Sequence, residues 1–303
     1  NEIISDRRTK SLLPGSFCKL VDYNKNPICL VTVNPKSKIF ARVMDFNFET
    51  TVDAYWLKVK ISKALAKRKE IFRDPFYRLV NAEADELPGL IVDRFDNVIV
   101  MQPNAFWAEN MSEIIANSIK EVCSIDVVIK NASGRSRRLE GLDDKNSVFF
   151  GDLPEAAISV PMNGAIYKAD VHEGQKTGLF YDQRQNHKFV ASLANGKTVL
   201  DVFCHVGGFG LAAIAAGASE VSFVDSSANA LDLVREGASE MLASSKMNII
   251  RGDAFSVLRK LLESDNSYDI VICDPPAFVT SRKSLNSGLR AYEKMAKLGS
   301  SLV

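Results

Sequence analysis

Apolar and polar positions follow three rhythms along this 303-residue chain. Between residues 11 and 45 the apolar runs are short: Phe17-Cys-Lys-Leu-Val-Asp, Ile28-Cys-Leu-Val-Thr-Val and Ile39-Phe-Ala-Arg-Val-Met. Asn24-Lys-Asn-Pro and Asn34-Pro-Lys-Ser part them. Strands of about six residues with turn residues between them predict a small β-barrel. Residues 51–71 change to helical spacing, with Tyr55, Val59, Ser62 and Ala66 near one face and lysines elsewhere. Residues 77–102 read as strand, Asp96-Asn97 turn and strand, a hairpin pattern. A helix from Trp107 to Cys123 follows, with Met111, Ile114, Ile115 and Ile119 at helical spacing. Strands are predicted at 125–130, 147–150 and 165–172, completing an α+β unit. From about residue 183 helices and strands alternate. The helices fall near 183–194, 208–216, 227–244, 254–264 and 285–298, and the strands near 198–204, 220–225, 247–252 and 269–273. Such alternation predicts right-handed βαβ crossovers and a parallel sheet.

The strands of this last part each deliver a carboxylate at their carboxyl end: Asp201, Asp225, Asp253 and Asp274. That pattern fits a doubly wound sheet holding a small polar ligand. After Asp201 the turn contains Gly207-Gly208, where the backbone can approach a ligand at a helix N-terminus. Gly208-Phe-Gly-Leu-Ala-Ala213 matches a dinucleotide fingerprint only loosely. An acid at the strand end repels a pyrophosphate but suits a cationic amino group. S-adenosylmethionine carries an ammonium and a sulfonium, so the pattern points to that cofactor and to methyl transfer. Asp225 suits two ribose hydroxyls in either ligand class; its alternative role as a helix N-cap can pass to Ser226 or Ser227. Asp253 is placed either to accept from an adenine amino group or to cap the helix starting at Ala254.

Asp274-Pro-Pro-Ala-Phe278 stiffens the chain outside the sheet, because proline fixes φ. Asp274 and Pro275 then face the methyl acceptor, and Phe278 offers an aromatic face to a flipped base. Just before the first helix of this part, Lys176, Gln183 and Arg184 are polar groups able to meet a ligand carboxylate. The alternative there is a polar linker.

Composition changes this picture little. Hydrophobic residues make up 46% and charged residues 25%, ordinary for a globular protein. No apolar run approaches the roughly 18 residues of a membrane span. The first residues, Asn1-Glu-Ile-Ile-Ser-Asp-Arg-Arg, lack a signal-peptide core. Five cysteines without a Cys-x-x-Cys pair favour a reducing cytoplasm over disulfides or a metal site. Cys204 and Cys273, on predicted strands, read as core residues. Charge is more informative. Residues 1–70 hold fourteen Lys/Arg against seven Asp/Glu, and the rest twenty-four against thirty. A basic amino-terminal part suggests a polyanion partner. The alternative is a solvated helix face carrying Lys58, Lys60, Lys63, Lys67, Arg68 and Lys69.

Taken together, several segments resemble the bacterial 23S ribosomal RNA large-subunit methyltransferases, cytosine-5 branch. They are Gly174-Gln-Lys-Thr-Gly with Asp182-Gln-Arg184, Phe203 through Phe209, Val224-Asp-Ser226 and Asp274-Pro-Pro-Ala-Phe278. Leu87-Pro-Gly-Leu-Ile-Val-Asp-Arg-Phe95, Arg138-Leu-Glu-Gly-Leu142 and Arg42-Val43 extend the likeness over nearly the whole chain. The resemblance implies an α/β fold in three parts. Residues 1–72 would be a PUA-like RNA-binding β-barrel with a basic helix, 73–173 an α+β middle domain, and 174–303 a Rossmann-like class I methyltransferase domain.

By motif match it places the cofactor at Lys176, Thr177, Asp182, Gln183, Arg184, Asp201, Phe203, Gly207, Gly208, Asp225, Ser226, Asp253 and Ala254. Arg138 and Phe278 would meet the substrate, and Arg135 and Arg137 would extend the RNA surface. Two departures stand out. Ala277 replaces the family's usual Lys. The family's cysteine nucleophile lies in a Ser-Cys-Ser segment on a fifth strand, and none of the five cysteines here matches it. The last domain is therefore expected to be C-terminally truncated, with four of seven strands and an exposed edge. RNA is the expected partner, with no membrane and with a homodimer left open. Guanine-N7 methylation, or a non-catalytic PUA RNA-binding protein, are the alternatives; a nicotinamide oxidoreductase fits least.

Overall fold

In the computed structural model, which describes residues 7–171, 178–279 and 281–303, the three early apolar runs form one antiparallel sheet. After a single turn α1 (Arg7–Lys10) come β1 (Ser16–Val21), β2 (Pro27–Val33) and β3 (Ala41–Asp45), in the order β1-β2-β3. Side chains alternate across β2. Cys29, Val31 and Val33 face a small core with Leu12, Cys18 and Leu20. Leu30, with Met44 of β3, joins a larger core.

That larger core is built by α2 (Ala54–Ile71) and the middle of the chain. Asp53 starts α2 by accepting the Trp56 N–H at 2.9 Å. Trp56, Leu57, Ile61, Ala64 and Leu65 are its buried side chains. They pack with a five-stranded sheet of β4 (Phe76–Asn81), β5 (Leu90–Phe95), β6 (Val98–Pro103), β7 (Val127–Lys130) and β8 (Ser147–Phe150). Its neighbours are antiparallel except β6 and β7. The helix expected at 107–123 is two, α3 (Phe106–Asn110) and α4 (Ser112–Cys123). The Ser112 hydroxyl donates back to the carbonyls of Ala108 and Glu109, competing with the helical ladder where it breaks.

A short α5 (Arg135–Glu140), not anticipated from the pattern, is held by Arg137. This corrects the placement of Arg137 on a polyanion surface. It is only 1% exposed, and its guanidinium donates to Glu109 and to the carbonyls of Pro103 and Asp143. Arg138 is exposed. The lysines of α2 also find protein partners. Lys58 pairs with Glu121, Lys60 and Lys63 with Glu86, and Lys67 and Arg68 with Asp85.

The described chain divides into two compact units rather than three. The first runs to Glu155 and takes in Val171; the second is Ala156–Asp170 with Gly178–Val303. Within the first unit the early sheet gives Leu30 and Met44 to the core of α2 and the middle segment and keeps the small core around Val31 as its own. The hairpin β9 (Ile158–Met162) and β10 (Ala165–Ala169) groups with the second unit instead of with the segment before it.

The rest of the second unit is α6 (Arg184–Leu193), β11 (Thr198–Val202), α7 (Gly208–Ala215), β12 (Glu220–Asp225), α8 (Ala228–Glu240), β13 (Met247–Arg251), α9 (Ala254–Glu263), β14 (Ile270–Cys273) and α10 (Leu285–Ser300). The strands are parallel, in the order β13-β12-β11-β14. Val199, Leu200, Val202, Val221, Phe223 and Val224 are buried, as in parallel strands covered on both faces. From β11 the chain steps outward through β12 to β13, then returns to place β14 on the other side of β11. The strand order therefore reverses between β11 and β14. Outside the carboxyl ends of these two strands is where open α/β sheets bind ligands.

Candidate active site

The turn leaving β11 is shaped by three left-handed residues, Phe203 (φ 63°), His205 (φ 51°) and Gly207 (φ 80°). Two consecutive N–H groups, of Phe203 and Cys204, donate to the Val224 carbonyl at 2.9 and 3.1 Å, which ties the turn to β12. The Asp274 N–H reaches the Val202 carbonyl at 3.4 Å, tying β14's exit to the same place.

Asp201 lies below this turn, 1% exposed. Its Oδ2 accepts the Gly210 N–H at 2.8 Å, and its Oδ1 has no hydrogen-bond partner among the described residues. Burial pushes its carboxyl up to about 7; the Gly210 N–H opposes this, and the charges of Asp274 and Asp225 add to it. Asp274 remains exposed, yet desolvation first and the Asp182 charge second hold it above the usual carboxylate range. Asp182, in the 3₁₀ turn Tyr181–Gln183, reaches the site beside Phe180, whose ring meets that of His205 at 5.0 Å. Four carboxylates thus crowd one rim.

Asp225 ends β12 with both oxygens engaged: Oδ2 accepts the His205 N–H and Oδ1 the Ser227 N–H, each at 2.9 Å. Each oxygen keeps a lone pair for a further donor. Ser227, not Asp225, caps α8, accepting the Ala230 N–H. Ser226 is exposed, and its carbonyl receives Arg251. Asp253 does cap α9: its Oδ1 accepts from the Ser256 N–H and hydroxyl, at 3.0 and 2.9 Å. Only Oδ2 is left for another donor. Ala254 buries its methyl in the core and offers its backbone at the first turn of α9.

The glycines serve a purpose the sequence reading did not foresee. A Cβ on Gly208 would lie 2.6 Å from the Nε2 of His187, and one on Gly207 about 3.0 Å from Leu211. Packing against the protein's own side chains at both positions, and the left-handed φ at Gly207, already require their bareness. His187 is itself buried, and desolvation pulls it down to about 4, so it is neutral. Tyr167 of β10 donates its hydroxyl to the Gly208 carbonyl at 3.1 Å. His187 and Tyr167 brace the glycine turn and were missed. Their only sequence signal was an aromatic pair at positions predicted to be a strand and a helix.

Phe278 sits among Tyr292, Phe255 and Phe203, with ring centroids 4.8, 5.8 and 6.3 Å away. Its ring therefore anchors the Asp274-Pro275 loop to α9 and α10, and only its remaining exposed part can meet a base. Gln183 accepts from Asn186, and the Arg184 carbonyl from Asn163. Lys176 and Thr177 lie outside the described residues, with the rest of Gly174-Gln-Lys-Thr. Arg138 is in the first unit.

The arrangement fits S-adenosylmethionine. A buried, unpartnered carboxylate oxygen and three further acids form a negative rim at the strand-order reversal, suited to a cation. A carboxylate ending the second strand keeps acceptor capacity for ribose hydroxyls. Bound there, the cofactor supplies an electrophilic methyl group.

Comparison with known proteins agrees. Residues 138–298 match the profile of the S-adenosylmethionine-dependent methyltransferase family. A ribosomal RNA large subunit methyltransferase I of Aeromonas hydrophila is 34% identical over 272 residues, covering 88% of this chain and 68% of that protein. One of Yersinia pseudotuberculosis is 30% identical over 296 residues, covering 96% and 74%. Among solved structures, a protein described as a methyltransferase complexed with S-adenosylhomocysteine superposes with a TM-score of 0.82 at 19% identity, over 96% of this chain and 75% of that one. A protein from Streptococcus mutans, described as a SAM-dependent methyltransferase, gives 0.77 at 18% identity, over 95% and 82%. At these identities the two structures speak to the fold alone. Fold, acidic rim, profile and relatives agree: this chain belongs to the S-adenosylmethionine-dependent methyltransferase family and is an enzyme that uses that cofactor.

Proposed function

We propose that the enzyme methylates large-subunit ribosomal RNA, and that its target atom is C5 of a cytosine. The observation that carries the reading is the acidic rim of Asp201, Asp225 and Asp182, suited to a cation, with Asp274 at the mouth beside Pro275. Asp274, its carboxyl held above the usual carboxylate range by desolvation and the Asp182 charge, faces a base edge. The relatives' names support rRNA as the substrate, and the early antiparallel sheet supports an RNA-binding PUA-like module.

Cytosine C5 becomes nucleophilic only after a thiolate adds to C6. None of the chain's five cysteines supplies one. Burial raises all of them, Cys123 and Cys273 to about 11 and Cys204 further, so they are neutral thiols at pH 7. In this reading none of these five thiols is the nucleophile. The same observation is what favours the alternative of guanine-N7 methylation, which needs no thiolate.

Nucleoside mass spectrometry of rRNA methylated by the full-length enzyme separates the two. The expected product is 5-methylcytidine, lost on adding a thiol-alkylating reagent. Formation of 7-methylguanosine, insensitive to that reagent, would replace the cytosine reading. Absence of any methylated nucleoside on rRNA would remove the RNA substrate.

A further inference from the structure

The segment that follows the acceptor loop carries a local excess of positive charge. Residues 279–303 contain five Lys/Arg and one Asp/Glu. Arg290, Lys294 and Lys297 follow at i, i+4 and i+7 along α10 and so project as one stripe. All three are exposed, as are Arg282 and Lys283 in the turn before the helix. The buried residues of α10, Gly288, Met295 and Gly299, lie on another flank.

The stripe is fixed to the site by contacts. Lys294 Nζ lies 5.3 Å from the Phe255 ring centre, and Phe255 is 5.8 Å from Phe278. A Cβ on Gly288 would lie 3.0 Å from the Phe278 backbone, so the first turns of α10 rest on the acceptor loop. Glu293 pairs with Lys297 at 2.8 Å, but the two side chains are 63% and 75% exposed. Such a solvent-screened surface pair is weak and yields to a stronger anion.

The lysine-rich helix α2 differs. Its Lys58, Lys60, Lys63, Lys67 and Arg68 are engaged by Glu121, Glu86 and Asp85, and Lys60 and Lys63 hold Glu86 down to about 2.

The geometry points to Arg290, Lys294 and Lys297, headed by Arg282 and Lys283, as a phosphate-binding ridge for the RNA strand that flanks the target base. This rests on the RNA-methyltransferase reading above and names where that RNA is gripped. From Arg290 to Lys297 the helix rises about 10 Å, room for about three phosphates at ~3.4 Å of axis per nucleotide. The crevice itself is negative and repels phosphate, whereas the ridge outside attracts it. A strand lying on the ridge therefore presents a base, not its backbone, to Asp274.

The test compares charge variants of the full chain for binding an in-vitro transcribed large-subunit rRNA between 50 and 200 mM salt. R290E/K294E/K297E is expected to lose affinity at least about tenfold and to flatten the log–log salt slope by about 2–3, since each phosphate contact contributes ~0.7–0.9. R290Q/K294Q/K297Q should fall between it and the wild type, and K58E/K60E/K63E should stay within about twofold of the wild type. S-adenosylhomocysteine affinity should be unchanged in all three, which reports correct folding; if the Glu variant fails that control, the Gln variant decides. Unchanged RNA affinity and slope in the α10 variants overturns the ridge, as does a loss in the α2 variant equal to or greater than theirs. A wild-type protein that binds S-adenosylhomocysteine but no RNA at any salt overturns the RNA reading itself.

Discussion

Asp201 is where burial and charge conflict most, and its protonation couples to both folding and ligand binding. Its folded value, pushed up to about 7, lies above the roughly 3.9 of an unfolded chain. The folded state therefore holds this proton longer. Stability of the ligand-free protein should fall as pH rises from about 4 to about 7, by up to ~1.4 kcal/mol per unit, then level off. Urea titrations at pH 5.5, 6.5 and 7.5 check this; stability rising through that window would contradict it. A bound cation favours the ionised carboxylate, so cofactor affinity should strengthen as pH rises towards 7 and flatten above, with proton release that calorimetry in two buffers detects. Asp201→Asn keeps an acceptor for the Gly210 N–H but removes the charge. It should weaken S-adenosylhomocysteine binding about 10- to 100-fold, the worth of a charged hydrogen bond, while stabilising the free protein at pH 8. Its acid at a strand end was legible in the chain. Its complete burial was not, because that depends on α7 and on the distant hairpin that brings Tyr167 to the same turn.

At the scale of elements, the helices and strands of the second unit fall within a few residues of their predicted spans, because alternating buried strands and amphipathic helices leave a clear period. Elements without a period escaped. β9 contains Pro161, which argues against a strand, and it survives because it pairs on one side only. α5 is too short to show a period and is held by the buried Arg137, a contact across the fold. The glycine turn is read correctly as a turn, but its packing is tertiary. A Cβ on Gly210 would lie 2.1 Å from the Phe223 ring, so Gly210→Ala should cost about 1–3 kcal/mol or more and displace α7, seen as a lower urea midpoint and weaker cofactor binding. Leu57→Ala, at a fully buried position of α2, should cost about 2–5 kcal/mol in unfolding of the first unit. A loss under 1 kcal/mol would show that α2 is not part of that core.

Over the whole molecule, the charge imbalance between the amino-terminal part and the rest is real, but its meaning changes once partners are visible. Most cations of α2 are answered by nearby acids, as the solvated-face reading allowed, whereas those of α10 face outward. Net charge over a segment is legible from composition; which charges remain available is decided by folding. Among the described residues no helix is long and apolar enough to cross a membrane. The claim on which the rest depends is that the rim above β11, β12 and β14 holds the methyl donor. A crystal structure of the full chain grown with S-adenosylhomocysteine tests it most directly. The nucleoside is expected at the carboxyl ends of these strands, with its ribose hydroxyls within hydrogen-bonding reach of Asp225 and its amino group on the Asp201 side. A ligand bound elsewhere, or a rim closed by side chains with no binding in solution, would contradict it.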